Sequence, residues 1–278
     1  MKQLLFLIIL LFDGTAIGNT IELPREKTEQ VESRYEITAP CAESGKHARE
    51  RLAHLFDALQ LLFGEHLKPT GPMPDQMRVV IFRDKNEYVR ELFPIESRIE
   101  MTNGLYFAPK KTMYLYAPET KVLFHEGTHQ ILREHFSPCQ TPTFRNNFWV
   151  VEGIALFMET LRIEEEHYQL GNILADRLFS ARIYQFDRDY DMPIRKLMAM
   201  GAAEVQSSEA RQQIYSQSAA LFHYLMFAEQ GEYRKALFEL LCRTYLGTAT
   251  PETLSDLTGL SYEELDIKYL EFLETIPK

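Results

Sequence analysis

Two histidines stand four residues apart, with a glutamate directly after the first: His125-Glu126-Gly127-Thr128-His129. On an α-helix, residues i and i+4 leave the same face about one turn apart. Both imidazoles can then reach a single zinc ion at about 2.0–2.1 Å. Glu126 follows the first histidine, where it can take a proton from a zinc-bound water. The flanks also favour a helix. Pro118 and Glu119 suit a first turn, Val122, Leu123, Phe124, Ile131 and Leu132 supply burial, and Pro138 stops it.

A catalytic zinc site takes three protein ligands plus water, so this stretch is incomplete alone. His135 stands six residues after His129, but the related three-histidine pattern needs glycine at its eighth position so that the chain can leave the helix. Here that position is Leu132. On a continuing helix His135 lies about 120° from the ligand face and about 9 Å further along the axis, which reads as a solvated histidine near a helix end. The other candidate is Glu152, in Asn147-Phe148-Trp149-Val150-Val151-Glu152-Gly153-Ile154-Ala155. Asn146 or Asn147 can cap that helix. Phe148, Trp149, Ala155 and Leu156 share the face of Glu152, so a lone carboxylate points from an apolar stripe, and a metal is one of the few ways to satisfy it. The alternative is a structural glutamate paired with an arginine. Gly153 and Ala155 are small enough to let another helix approach closely.

HEGTHQIL followed by WVVEGIALF resembles the gluzincins, zinc peptidases whose third ligand is a glutamate on a following helix. The likeness is greatest to the thermolysin-like secreted bacterial proteins of the peptidase MA clan that carry a Trp-x-x-Glu-Gly-x-Ala helix. It implies a zincin-like fold, Zn²⁺ held by His125, His129 and Glu152, and Glu126 as general base. There are departures. Twenty-two residues separate His129 from Glu152, leaving room for a loop at 136–147. Leu156 stands where thermolysin-like enzymes place a carboxylate that orients a zinc-bound histidine, and Glu159 is a possible substitute. The stretch beginning at Tyr215 resembles a segment whose tyrosine or histidine donates to the oxyanion of the tetrahedral intermediate. That implies Tyr215 in this role, with His223 as an alternative; the plainer reading of any of the 14 tyrosines is packing.

Met1–Gly18 reads as a secretory signal peptide, with Lys2, an apolar Leu4–Phe12 and the small-x-small site Ala16-Ile17-Gly18. Its nine apolar residues are too few to span a bilayer. The expectation is a secreted or periplasmic protein with no stable membrane insertion. A net charge of −10 without a basic patch argues against nucleic acid as a partner; Lys110-Lys111 reads as a turn. Cys41, Cys139 and Cys242 permit one disulfide, and the Pro-adjacent positions of Cys41 and Cys139 favour that pair.

The reading by segment is a signal peptide over 1–18, a linker over 19–34, a mixed α/β lobe with the active-site helix over 35–137, and a helical lobe with the third ligand over 138–278. Strands are expected at 34–39, 77–82, 104–108 and 112–117, and helices at 43–66 and 85–92. From residue 147 onward helices are expected at the Glu152 stretch, about 170–186, 194–200, 208–229, 231–246 and 261–275. Glu164-Glu165-Glu166 reads as a solvated run. The fold class is α+β, with the cleft between the lobes, the metal at its floor, and one edge strand available to pair with an extended peptide. The expected function is a secreted zinc metallopeptidase acting on peptide or protein. The competing readings are an inactive zinc-binding recognition or scaffold protein, which the leucine at 156 favours, and a zinc hydrolase of a non-peptide amide.

Overall fold

Short β-branched and aromatic runs broken by glycine and proline build the first part of the chain, and longer helical periodicities build the rest. The computed structural model describes residues 20–25, 34–64, 76–136 and 144–277. The expected signal peptide, most of the 19–34 linker, Pro138 and the Cys41–Cys139 pairing lie outside the described residues, wholly or through one partner. In chain order come β1 (Ile21–Pro24), β2 (Tyr35–Thr38), α1 (Ala42–Phe63), β3 (Met77–Ile81), α2 (Lys85–Leu92), β4 (Gly104–Phe107), β5 (Thr112–Leu115) and α3 (Thr120–Phe136). They are followed by α4 (Phe148–Met158), β6 (Arg162–Ile163), β7 (His167–Leu170), α5 (Asp176–Asp187), α6 (Ile194–Ala199) and α7 (Ala202–Ser207). Four helices complete the chain: α8 (Arg211–Phe227), α9 (Arg234–Tyr245), α10 (Thr253–Thr258) and α11 (Tyr262–Thr275).

The fold class is α+β, as expected. One sheet has the order β2-β3-β5-β4, with β2, β3 and β5 parallel and β4 antiparallel to β5. β4 is therefore an edge strand, and it lies beside α3. Ala108–Lys110 and Lys111, which has φ 50°, make the turn between β4 and β5. No helix among the described residues is long and apolar enough to cross a membrane.

Several expectations need correction. Ile21–Pro24 is a strand, not linker: Ile21 and Leu23 are buried and β1 pairs antiparallel with β7. β6 and β7 form a hairpin whose tip is the exposed Glu164-Glu165-Glu166, so α5 starts at Asp176 instead of about residue 170. These strands span four residues or fewer, too short for periodicity to separate from loop. The short helices α7 and α10 were hidden for the same reason. Asn147 has φ 53° and does not cap α4; its side-chain amide donates to Thr250 O at 2.8 Å and Asn146 Oδ1 at 2.9 Å.

Two glycines set how closely the helices approach. A Cβ on Gly127 would lie 2.7 Å from Cδ2 of both Leu52 and Leu55, so these α1 side chains pack directly against the α3 backbone. A Cβ on Gly153 would lie 3.1 Å from Phe222 Cβ and from Ser218 O, so α4 approaches α8 in the way its small residues suggest. Every residue of α4 is buried. Trp149 is fully enclosed, and its Nε1–H donates to Met198 Sδ at 3.0 Å.

His223, on α8, belongs to this core. It is 2% exposed, its Nε2–H donates to Gly171 O at 3.1 Å, and its ring lies against Phe227 and Phe272. Burial pushes its pKa down to about 4.

Two predictions follow from this packing. Gly127→Ala overfills the α1–α3 contact and costs about 1–3 kcal/mol, read as a lower urea midpoint at unchanged m-value. For His223 the unfolded chain, with an ordinary pKa near 6.5, binds a proton before the folded one does. The stabilisation from the neutral ring is complete above that pH and is lost as the pH falls towards about 4. Urea unfolding across this window is expected to show a loss of stability up to about 3 kcal/mol larger in wild type than in His223→Gln. Parallel profiles would contradict the assignment.

Candidate metal centre

α3 carries both histidines on one face, and α4 crosses it so that Glu152 meets them. His125 Nε2 and His129 Nε2 are 3.2 Å apart, and Glu152 Oε2 lies 3.5 Å from the first and 3.7 Å from the second. A point equidistant from the three atoms is about 2.0 Å from each, the length of a zinc bond to imidazole nitrogen or carboxylate oxygen. Among the described residues this is the one group of histidine, cysteine and acidic side chains with ligand atoms close enough to share an ion. Glu152 is 4% exposed, and its Oε2 accepts no hydrogen bond. A buried carboxylate oxygen aimed at two imidazole nitrogens fits a cation, because an ionised carboxylate held in the interior needs positive charge facing it.

The electrostatics agree. Burial alone raises the pKa of Glu152, but the charges and contacts of His129 and His125 outweigh it and hold the carboxyl well below the usual range. Burial likewise opposes a proton on His125, yet its contacts with Glu152 and Glu159 and the charge of Glu126 raise its pKa well above 6.5. The site favours positive charge at its centre.

Glu159 closes the arrangement from behind. Its Oε1 lies 2.8 Å from His125 Nδ1. The acceptor assigns the proton to Nδ1, which leaves the Nε2 lone pair directed at the centre. Glu159 is seven residues after Glu152, two helical turns on the same face. It thus makes the contact to His125 for which the sequence offered it as a substitute for Leu156.

Glu126 projects from α3 towards β4, where its Oε2 accepts from the backbone N–H of Tyr106 at 2.7 Å. The approach is close: a Cβ on Gly104 would lie 2.7 Å from Glu126 Cγ and 2.8 Å from Val122 Cγ1. A residue with a side chain at 104 would displace the carboxylate. No sequence pattern pointed to Gly104, because its neighbour comes from another element.

Residues from both sides of the 137–143 segment line one cavity of about 680 Å³, among them His125, Glu126, His129, Glu152, Glu159 and Tyr215. Tyr215 lies within α8, and its hydroxyl accepts from Gln206 Nε2 at 3.1 Å. Burial and the charge of Glu152 push its pKa above the ordinary tyrosine value, so it keeps its proton at neutral pH. His223 does not line this cavity, which removes it as the alternative to Tyr215. His135 is not in the metal-competent group, but it is not solvated either: it is 5% exposed, edge-on to the Phe136 ring.

The family model described as "Protein of unknown function (DUF1570)" matches residues 120–245. That span contains His125, Glu126, His129, Glu152, Glu159 and Tyr215. No curated protein matches the chain.

Proposed function

We propose that the protein is an exported, zinc-dependent peptidase of the gluzincin kind, delivered by the signal peptide at 1–18. The observation that carries this reading is the triangle of His125 Nε2, His129 Nε2 and Glu152 Oε2 with the Glu126 carboxylate one residue from its first corner. A purely structural zinc site closes all four positions with protein ligands and has no need of a general base. Here three ligands face a cavity that also holds a free carboxylate oxygen and a tyrosine hydroxyl.

When bound, zinc supplies a Lewis acid that polarises a carbonyl and lowers the pKa of water towards about 7. The chain supplies the proton handling. Glu126 Oε2 is held by Tyr106 N–H, leaving Oε1 to accept the proton of the attacking water and pass it to the departing amine. Tyr215 remains protonated and donates its O–H to the oxyanion. The His125–Glu159 contact keeps one imidazole in the ligating tautomer. β4 lines the cavity as an antiparallel edge, where an extended peptide can add a strand through main-chain hydrogen bonds. The His125–Glu159 contact supports an active enzyme over an inactive scaffold, since a carboxylate meets the histidine although position 156 is leucine.

The test is hydrolysis of an unstructured protein and of fluorogenic peptides by the zinc-loaded mature chain. Glu126→Gln is expected to lower kcat by about 10²–10⁴-fold while zinc stays bound. Tyr215→Phe is expected to lower kcat by about 10²–10³-fold with little change in KM. A Glu126→Gln protein as active as wild type would overturn the reading, as would an inert zinc-loaded wild type.

A further inference from the structure

Arg133 stands on α3 four residues after His129, on the same helical face and one turn further along. It is 6% exposed and lines the cavity. A buried guanidinium keeps its charge and ordinarily meets a carboxylate. This one does not. The neighbouring Glu134 is occupied by the Tyr106 hydroxyl at 2.7 Å and by Lys111 Nζ at 3.0 Å. Among the described residues the guanidinium contacts the Phe144 ring, 5.9 Å from its centroid, and has no ion-pair or hydrogen-bond partner. The segment that follows α3, residues 137–143, contains no aspartate or glutamate.

The surroundings point the same way. Apart from Glu126, Glu152 and Glu159, the cavity is lined by two acidic residues, Glu96 and Glu119, against the cations Arg98, Lys121, Arg133, Arg177 and Arg211. The chain as a whole carries a net charge of −10. With Glu126, Glu152 and Glu159 included, the lining holds five acidic and five basic residues, so it is neutral within a strongly acidic chain and opposes an anionic group less than the rest of the protein does. Tyr106, Phe144, Phe148 and Tyr245 also line the cavity, and apolar walls strengthen a charge-assisted hydrogen bond.

We infer that Arg133 binds a carboxylate of the substrate, so that the cavity selects peptides carrying a negative charge close to the bond at the metal centre. This deepens the peptidase reading and rests on it for the word "substrate". The spacing limits where that charge lies. One helical turn is about 5.4 Å and an extended chain advances about 3.3 Å per residue, so the carboxylate falls one or two residues from the reacting carbonyl. Two sources present the same chemistry there: an aspartate or glutamate side chain, and the C-terminal carboxylate of a short peptide. A planar guanidinium suits either through two parallel N–H···O bonds.

The experiment measures binding, not turnover. The zinc-loaded Glu126→Gln protein is titrated into fluorescein-labelled peptides in two matched pairs, one with glutamate exchanged for glutamine and one with a free C-terminus exchanged for a C-terminal amide. The expected result is that at least one carboxylate peptide binds about tenfold or more tighter than its neutral counterpart, and the responding pair identifies the source. Adding Arg133→Met should bring that ratio to near one without weakening the neutral peptide. Arg133→Lys should retain part of it, since the charge survives and the fork does not. Zinc content and circular dichroism check that each variant is folded. The preference of the Arg133 protein stands as a test even if a variant does not fold. A ratio near one in both pairs, or a ratio undiminished in folded Arg133→Met, would overturn the inference. Glu126-dependent hydrolysis without the preference would sink this inference alone, whereas the preference without any hydrolysis by wild type would sink the peptidase reading alone.

Discussion

A carboxylate held in the protein interior against two imidazole nitrogens is the constraint on which the rest of this structure depends. Glu152 is 4% exposed on a helix with no exposed side, a position where an ionised group is costly unless a positive charge faces it. His125 and His129 turn that cost into a site. The position requires α4 to run through the core, and α4 reaches it only because Gly153 admits α8. On the other side of the cavity Gly127 admits α1, which presses α3 into place. The packing and the chemistry are one arrangement: filling either glycine moves a helix that carries a ligand.

α3 acts as a ruler for the site. Residues 125, 126, 129 and 133 place an imidazole, a carboxylate, a second imidazole and a guanidinium along two turns of one helix. Glu126 lies one residue, about 100° of rotation, from His125, which aims it at β4 instead of into the triangle. There a backbone N–H from the edge strand fixes one of its oxygens. The strand that can receive an extended peptide is thus the same strand that orients the base. Arg133, one turn beyond the second histidine, extends the same face from chemistry into recognition.

Much of this was legible in the residues, and the part that was not has a common cause. The i, i+4 histidines and the isolated carboxylate of an apolar helix are local patterns, and local geometry interprets them directly. Glu159 was also within reach, because seven residues on a helix is two turns. The α+β order followed from the change of period near residue 147. What stayed hidden depended on partners distant in sequence. Gly127 is explained by Leu52 and Leu55, Gly104 by Glu126, and β1 by a strand about 145 residues later. His135 read as solvated and His223 as an alternative oxyanion donor, and both prove to be buried, since burial of a histidine depends on aromatic neighbours that the local sequence does not display. Arg133 carries no signal in the sequence for the complementary reason: the partner it lacks is a property of the whole cavity.

The most direct test of this account is the zinc content of the purified mature protein after metal-replete preparation, in wild type, Glu152→Ala and His135→Ala. The account predicts close to one zinc per chain in wild type and His135→Ala, and loss of tight zinc from Glu152→Ala, because removing the carboxylate leaves two imidazoles with no third ligand. Zinc retained by Glu152→Ala and lost from His135→Ala would contradict it. So would the absence of zinc from all three.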